Sequence, residues 1–209
     1  MLLGHGTHGS VYEEDGKAVK VYRDFPLIPP EAFNEHLIHS TQNSGNLVHD
    51  PSCTYKLSDK SGHIGKWKLY MKLYEGNALQ YTYDMTFAQR YAWIKGQRKN
   101  FVEALFLLHV QGWTHGDINP KNILVDKEGR AILCDFSLTN IACDDVKYGY
   151  TEGFTAPECD ITLRHFYSDW WSLGATCYYI LYRTYYSEGC NKKLPSFVRR
   201  WLSRKEIER

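Results

Sequence analysis

Three groups of residues combine types and spacings that could do chemistry. The first is Gly4-x-Gly6-x-x-Gly9-x-Val11; glycines so spaced let backbone N–H groups approach phosphate oxygens with no Cβ in the way. A hairpin can use glycines for its turn alone, and a dinucleotide site would need a helix directly after them, where a second strand-like run follows. Ala18-Val19-Lys20 then puts a lysine on a strand. Its ammonium could pair with phosphates beside the glycine loop if a carboxylate steadied it. Glu35, in the middle of the next helical run, is better placed for that than Glu31, which sits in the first turn and serves the helix dipole. The second group is His115-Gly116-Asp117-Ile118-Asn119-Pro120-Lys121-Asn122-Ile123, a loop that offers a proton acceptor, a cation and a metal-binding carbonyl within a few residues. The third, Asp135-Phe136-Ser137, puts a carboxylate at the end of an apolar strand opposite Asn122, where it could hold Mg²⁺ against nucleotide phosphates.

The elements that must position these groups follow from periodicity and turn signals. Leu2–Ser10, Val11–Glu14 and Lys17–Tyr22 read as three strands, the last two joined by the hairpin turn Asp15-Gly16. Pro29-Pro30 opens a helix over about Glu31–Thr41. Two strand-like runs follow, Cys53–Leu57 and Trp67–Leu73. Thereafter the period becomes helical: Phe87–Gln111 is a long helix stopped by Gly112, the short strands Ile123–Val125 and Ala131–Cys134 bracket a turn, and Asp169–Leu181 is a second apolar helix. Glu75-Gly76-Asn77 is the expected junction between a strand-rich and a helix-rich part.

The chain has 209 residues, with 25 Lys+Arg against 24 Asp+Glu, a balance that argues against nucleic-acid binding through bulk positive charge. Its 43% hydrophobic content is ordinary globular usage, which excludes a disordered chain. No apolar run approaches the ~18 residues that would read as a membrane span. The six cysteines include no Cys-x-x-Cys pair, and the nine histidines show no metal-ligand spacing, so reduced thiols in an intracellular setting are expected.

Taken in order, glycine loop, strand lysine, helix glutamate, Asp…Asn loop and Asp-Phe-x resemble a eukaryotic-type protein kinase catalytic domain. Thr155-Ala156-Pro157-Glu158 resembles the Ala-Pro-Glu end of its activation segment, and Ser168-Asp169-Trp170-Trp171-Ser172-Leu173-Gly174 the start of its anchoring helix. The resemblance implies an α+β, two-lobed fold in a single domain over 1–209: a small antiparallel-sheet N-lobe with one helix (1–74) and a truncated, mainly helical C-lobe (75–209). It also implies ATP and Mg²⁺ as cofactors, with protein Ser/Thr hydroxyls as substrates. Lys20 would contact phosphates and pair with Glu35; Asp117 would be the catalytic base; Lys121 would steady the transferred phosphate; Asn122 and Asp135 would hold the metal. The ATP site would comprise Leu3, Gly4, His5, Gly6, Thr7, His8, Gly9, Ser10, Val11, Ala18, Lys20 and Asp135, together with Met71, Lys72 and Leu73 of the hinge strand. A monomer is expected, acting in the cytoplasm or nucleus with neither nucleic-acid nor membrane partners.

The departures from that pattern carry information. Gly116 stands where many protein kinases have the Arg that reads a phosphorylated activation loop, so activity independent of that phosphorylation is expected. Ser137 replaces the usual glycine, which would stiffen the loop yet leave the metal carboxylate intact. Lys121 follows Asp117 by four residues, a spacing that leans toward tyrosine kinases. Thr151, seven residues before Glu158, instead resembles the Ser/Thr class and decides for it. His-x-Asp-Ile-x-Pro-x-Asn-Ile-Leu with Cys-Asp-Phe-Ser-Leu is similar to the conserved herpesvirus protein kinases, which would imply a viral enzyme in a host nucleus. Two alternatives are open. His-Gly-Asp-x-x-Pro-x-Asn is also similar to aminoglycoside and choline kinases, which do not carry the glycine loop or the 156–174 blocks. A nucleotide-binding pseudokinase is the other. At the chain end, Arg209 is expected to bond Glu158.

Overall fold

The computed structural model describes residues 1–5, 9–22, 55–57, 67–141, 151–160 and 165–203. The expected helix over 31–41, the loop residues Gly6, Thr7 and His8, Glu35 and Arg209 all lie outside the described residues, as does the side chain of Glu158.

An antiparallel five-stranded sheet comes first, built from β1 (Leu2–His5), β2 (Gly9–Glu14), β3 (Lys17–Tyr22), β4 (Tyr55–Leu57) and β5 (Trp67–Lys72), in the order β1-β2-β3-β5-β4. The boundary between the first two expected strands differs: β1 ends at His5, and β2 starts at Gly9, which already pairs with Tyr22. Asp15 and Gly16 both take positive φ (50° and 73°), closing the β2–β3 hairpin as an Asp-Gly turn should. β3 is the central strand, hydrogen-bonded along its two edges to β2 and β5, and side chains on both of its faces are buried. Val19 is wholly buried on one, while Ala18, Lys20 and Tyr22 share the other.

Gly9 has a packing role as well as a loop role. A Cβ added there would lie 2.3 Å from the Val21 carbonyl oxygen and 3.1 Å from the Tyr22 Cα, both backbone atoms that cannot swing aside. Gly9→Ala is therefore expected to cost about 1–3 kcal/mol, the usual range for overpacking. The readout is a lowered thermal midpoint; an unchanged one would contradict this pairing of β2 on β3.

The remaining elements build the helical part. β6 (Gly76–Asn77) pairs with β8 (Ile123–Val125), which pairs with β9 (Ala131–Leu133). The segment expected to be a linker junction is thus an edge strand: Gly76 lies opposite Val125 and Asn77 opposite Leu124. Asn77 then caps the one-turn helix α1 (Ala78–Tyr81), its Oδ1 accepting from the Gln80 N–H while Gln80 returns a bond to the Asn77 N–H. Helix α2 (Phe87–His109) starts with the same reciprocal box between Thr86 and Gln89. Helix α3 begins at Phe166, three residues earlier than expected, because His165 and Ser168 bond reciprocally across its first turn; it ends at Tyr182. Helix α4 spans Ser196–Ser203.

One core joins these helices to the small sheet. Ile94, Phe101, Leu105 and Leu108 of α2 pack with Trp171, Leu173, Cys177, Ile180 and Leu181 of α3, Val198 and Trp201 of α4, and Ile123, Val125 and Leu133 of the strands. The chain is therefore α+β, with an antiparallel sheet followed by a helical part carrying its own small sheet. Among the described residues no helix is long and apolar enough to cross a membrane, and the four cysteines Cys134, Cys159, Cys177 and Cys190 are in no disulfide.

Candidate active site

β7 (Trp113–Thr114) pairs with β10 (Asn140–Ile141), and the polar loop 115–119 leaves β7 across the top of the helical core. Asp169, at the start of α3, fixes the loop from below. Its Oδ2 accepts the His115 N–H at 2.7 Å and contacts His109 Nε2 at 2.9 Å; its Oδ1 accepts the Gly116 N–H at 3.0 Å. Asp169 is 2% exposed, a burial that by itself would favour the neutral acid. The hydrogen bond and charge of His109 and the Gly116 N–H outweigh that burial, holding the carboxyl below its ordinary range. Gly116 sits at φ 79°, where a side chain is disfavoured, so glycine suits the bend that turns its N–H down onto Asp169.

The His115 ring is fully buried, with Nε2 3.1 Å from the Cys134 carbonyl and Nδ1 3.3 Å from the Asp117 N–H. A proton on Nε2 satisfies both contacts. The ring also packs on Phe136 at 5.3 Å between centroids. One histidine thereby links the loop to the Asp135-Phe136-Ser137 segment.

Asp117 is held from two sides. Asn122 Nδ2 donates to its Oδ2 at 2.8 Å and to its backbone carbonyl at 2.9 Å, and the Thr151 hydroxyl donates to Oδ1 at 2.5 Å. Asn119, a residue the sequence did not single out, braces the same turn. Its Oδ1 accepts the Lys121 N–H, and its Nδ2 reaches the Asp117 carbonyl at 3.3 Å. Lys121 itself is exposed on the 3₁₀ turn Pro120–Asn122.

The strand register sets Asn122 against Asp135. Ile123 pairs with Leu133 and the Cys134 N–H donates to the Asn122 carbonyl at 3.0 Å, so the next residue, Asp135, emerges beside Asn122. Lys20, 6% exposed on β3, donates to Asp135 Oδ1 at 2.7 Å, and the Ser137 hydroxyl donates to the same oxygen at 2.5 Å. The expected partner of Lys20, Glu35, lies outside the described residues; the contact the structure gives is with Asp135. Ala18 lies opposite Met71 across the β3–β5 ladder. Met71 and Tyr74 pack with Leu124 against Ile132 and Cys134, so this apolar cluster also uses Leu124, whose place in an alternating strand gave no separate sign of it. On β1 and β2, the His5 ring contacts the Ser10 hydroxyl at 2.7 Å, while a Cβ on Gly4 would meet no atom within 4 Å. Leu3 is exposed and Val11 half-buried on the same two strands; Lys72 and Leu73 lie at the end of β5 and just beyond it.

The donor set fits a magnesium nucleotide. Asn122 commits its amide N–H groups to Asp117, leaving its carbonyl oxygen directed elsewhere, and Asp135 supplies a carboxylate two residues beyond the facing strand. Two hard oxygen ligands beside an ammonium suit Mg²⁺ shared with phosphates, not an all-protein cage. Among the described residues there is accordingly no cluster of three or more His, Cys, Asp or Glu that could hold a metal.

A family model described as protein kinase domain matches residues 1–200. The chain is similar to serine/threonine-protein kinase PKH3 of Eremothecium gossypii, 25% identical over 207 residues covering 87% of this chain and 27% of that protein. It is 28% identical over 192 residues to protein kinase 2 of Dictyostelium discoideum, covering 86% of this chain and 39% of that one. Over 93 residues it is 37% identical to serine/threonine-protein kinase GRIK1 of Arabidopsis thaliana, covering 42% of this chain and 24% of the relative. The chain thus spans between about a quarter and two fifths of the length of these relatives.

Proposed function

The chain belongs to the protein kinase domain family, and from that premise we propose that it transfers the γ-phosphate of ATP to Ser and Thr hydroxyls of protein substrates. The observation that carries this reading is the Asp117 carboxylate, held by Asn122 on one oxygen and by the Thr151 hydroxyl on the other. In this reading Asp117 accepts the proton of the attacking hydroxyl as the γ-phosphate moves to that oxygen and ADP departs. Thr151, in direct contact with the base, shapes the place where an aliphatic hydroxyl sits. Asn122 and Asp135 hold Mg²⁺, which when bound neutralises charge on the phosphates. Lys20 contributes its ammonium to the same cluster through Asp135, the glycine segment after β1 covers the phosphates, and Lys121 approaches the transferred group from the exposed turn. Positioning and charge do most of the work in this chemistry.

Activity without activation-loop phosphorylation belongs to the same proposal. With glycine at 116, the residue before the base offers only its N–H, already given to Asp169, and no side-chain cation that could read a phosphate. That glycine also spells the catalytic loop of small-molecule phosphotransferases. The contact between Asp117 and Thr151, inside the segment leading to Ala156-Pro157-Glu158, favours the protein kinase reading instead. The resemblance to herpesvirus kinases rests on the spelling of the two catalytic motifs alone.

Thr151→Ala removes a hydrogen bond to a charged acceptor, worth about 1.5–3 kcal/mol. The expected result is a fall in kcat of about tenfold or more with KM for ATP unchanged. Phosphoamino-acid analysis of a mixed protein substrate tests the class: label on Ser and Thr is expected, and label confined to Tyr would overturn it.

A further inference from the structure

Ser137 departs from the residue type its position usually carries, and the structure gives its side chain a partner. Asp135 takes φ 64°, a left-handed conformation uncommon for a residue with a Cβ, and its carboxylate does not cap the 3₁₀ turn Phe136–Leu138 that it begins. Instead its Oδ1 accepts two donors, the Lys20 ammonium at 2.7 Å and the Ser137 hydroxyl at 2.5 Å. Ser137 is 3% exposed. Its turn is anchored on both flanks, by Phe136 buried against the His115 ring and by the Thr139 N–H bonded to the Phe136 carbonyl. The hydroxyl is therefore held by a rigid frame and reaches back two residues, while the Lys20 donor arrives from the other sheet. A glycine at 137 would leave the turn without that donor.

We propose that Ser137 is a positioning residue for the nucleotide-bound divalent cation: together with Lys20 it locks the Asp135 carboxylate through Oδ1, so that the carboxylate meets the metal in one orientation. The proposal rests on the phosphotransfer reading, in which Asp135 is a metal ligand. Losing the Ser137 donor loosens the hold on Oδ1, so the carboxylate samples a wider range of orientations about its Cβ–Cγ bond. Ordering it again then falls on the metal, and metal affinity drops. Ser137 touches neither metal nor phosphate in this account; it acts through Asp135 alone.

The test uses the full chain with Ser137→Ala and Ser137→Gly, and Mn²⁺ as the spectroscopic probe. Mn²⁺ binding is followed by electron paramagnetic resonance in the presence of a non-hydrolysable ATP analogue, alongside metal-free analogue affinity and thermal midpoint. Both variants are expected to bind Mn²⁺ about fivefold to tenfold more weakly, consistent with loss of a hydrogen bond to a charged group. Metal-free analogue affinity should stay at the wild-type value, and the midpoint should fall by no more than the loss of one hydrogen bond, about 1 kcal/mol, accounts for. In turnover, the Mg²⁺ concentration for half-maximal rate should rise while kcat at saturating Mg²⁺ is retained. Mn²⁺ affinity equal to wild type in either variant would overturn the positioning role, and so would a parallel loss of metal-free analogue binding. A wild-type chain that transfers phosphate while the variants bind Mn²⁺ normally defeats this inference only. A wild-type chain that takes up no Mn²⁺ with the analogue defeats this inference and the phosphotransfer reading together.

Discussion

Asp117→Asn is expected to lower phosphoryl transfer on the order of a thousandfold, the middle of the range that a positioned general base contributes. The substitution keeps the size and shape of the side chain but removes its ability to accept a proton. It also changes the two holding contacts. The carboxylate accepts from Asn122 on Oδ2 and from Thr151 on Oδ1, whereas an amide offers one acceptor and one donor group: its oxygen can still accept from Asn122, and the Thr151 hydroxyl must then turn from donor to acceptor. The bond from Asn122 to the Asp117 carbonyl is untouched, as is the Asn119 brace beneath it. The thermal midpoint should therefore move by little, roughly the net worth of one hydrogen bond, about 1 kcal/mol. Binding of the ATP analogue should persist, because Lys20 and Asp135 are unaltered. A variant that lost binding and stability along with activity would mean that Asp117 is a structural residue.

Asp169→Ala should produce the largest loss of stability. Its carboxylate is nearly fully buried and serves three donors: the N–H groups of His115 and Gly116, and the ring of His109. Removing it strands those groups together, at a cost of about 3–5 kcal/mol, typical of deleting one partner of a buried charged contact. At about 2–4 °C per kcal/mol for a chain of this size, the midpoint should fall on the order of 10 °C. Transfer should fall too, since the loop that carries Asp117 loses its support. The pH dependence has a definite sign. The folded-state pKa of Asp169 is depressed, so its contribution is present above the ordinary carboxylate value of about 4 and is lost as pH falls through the lower folded value. Wild type and Asp169→Asn should accordingly differ most at neutral pH and converge on acidification. A gap that widened in acid would contradict the assignment.

The motif residues were legible in the sequence because each is a departure from what its element would otherwise hold. Lys20 interrupts an apolar strand, Asp117 and Asn122 flank a proline, and Asp135 ends an apolar run. The supports were not legible, because they depend on register and on contacts between distant segments. Nothing local marks His109 as the partner of a residue 60 positions on, since it occupies a helix end where a basic side chain is ordinary. Ser137 read as a stiffer glycine until the φ of Asp135 turned its carboxylate back toward that hydroxyl. Gly9 looked like a phosphate-loop residue, and the closeness of the Val21 carbonyl shows that the β2–β3 ladder requires it as well. Gly76-Asn77 read as a junction because two residues are too short to show a strand period, and only the partner strand β8 makes them one.

The most direct test of the account is transfer of label from γ-labelled ATP to a mixed protein substrate, with Mg²⁺, by the purified chain beside its Asp117→Asn variant. The account predicts Mg²⁺-dependent label on Ser and Thr, at a rate on the order of a thousand times that of the variant. Protein labelling by the wild type no greater than by the variant would contradict it.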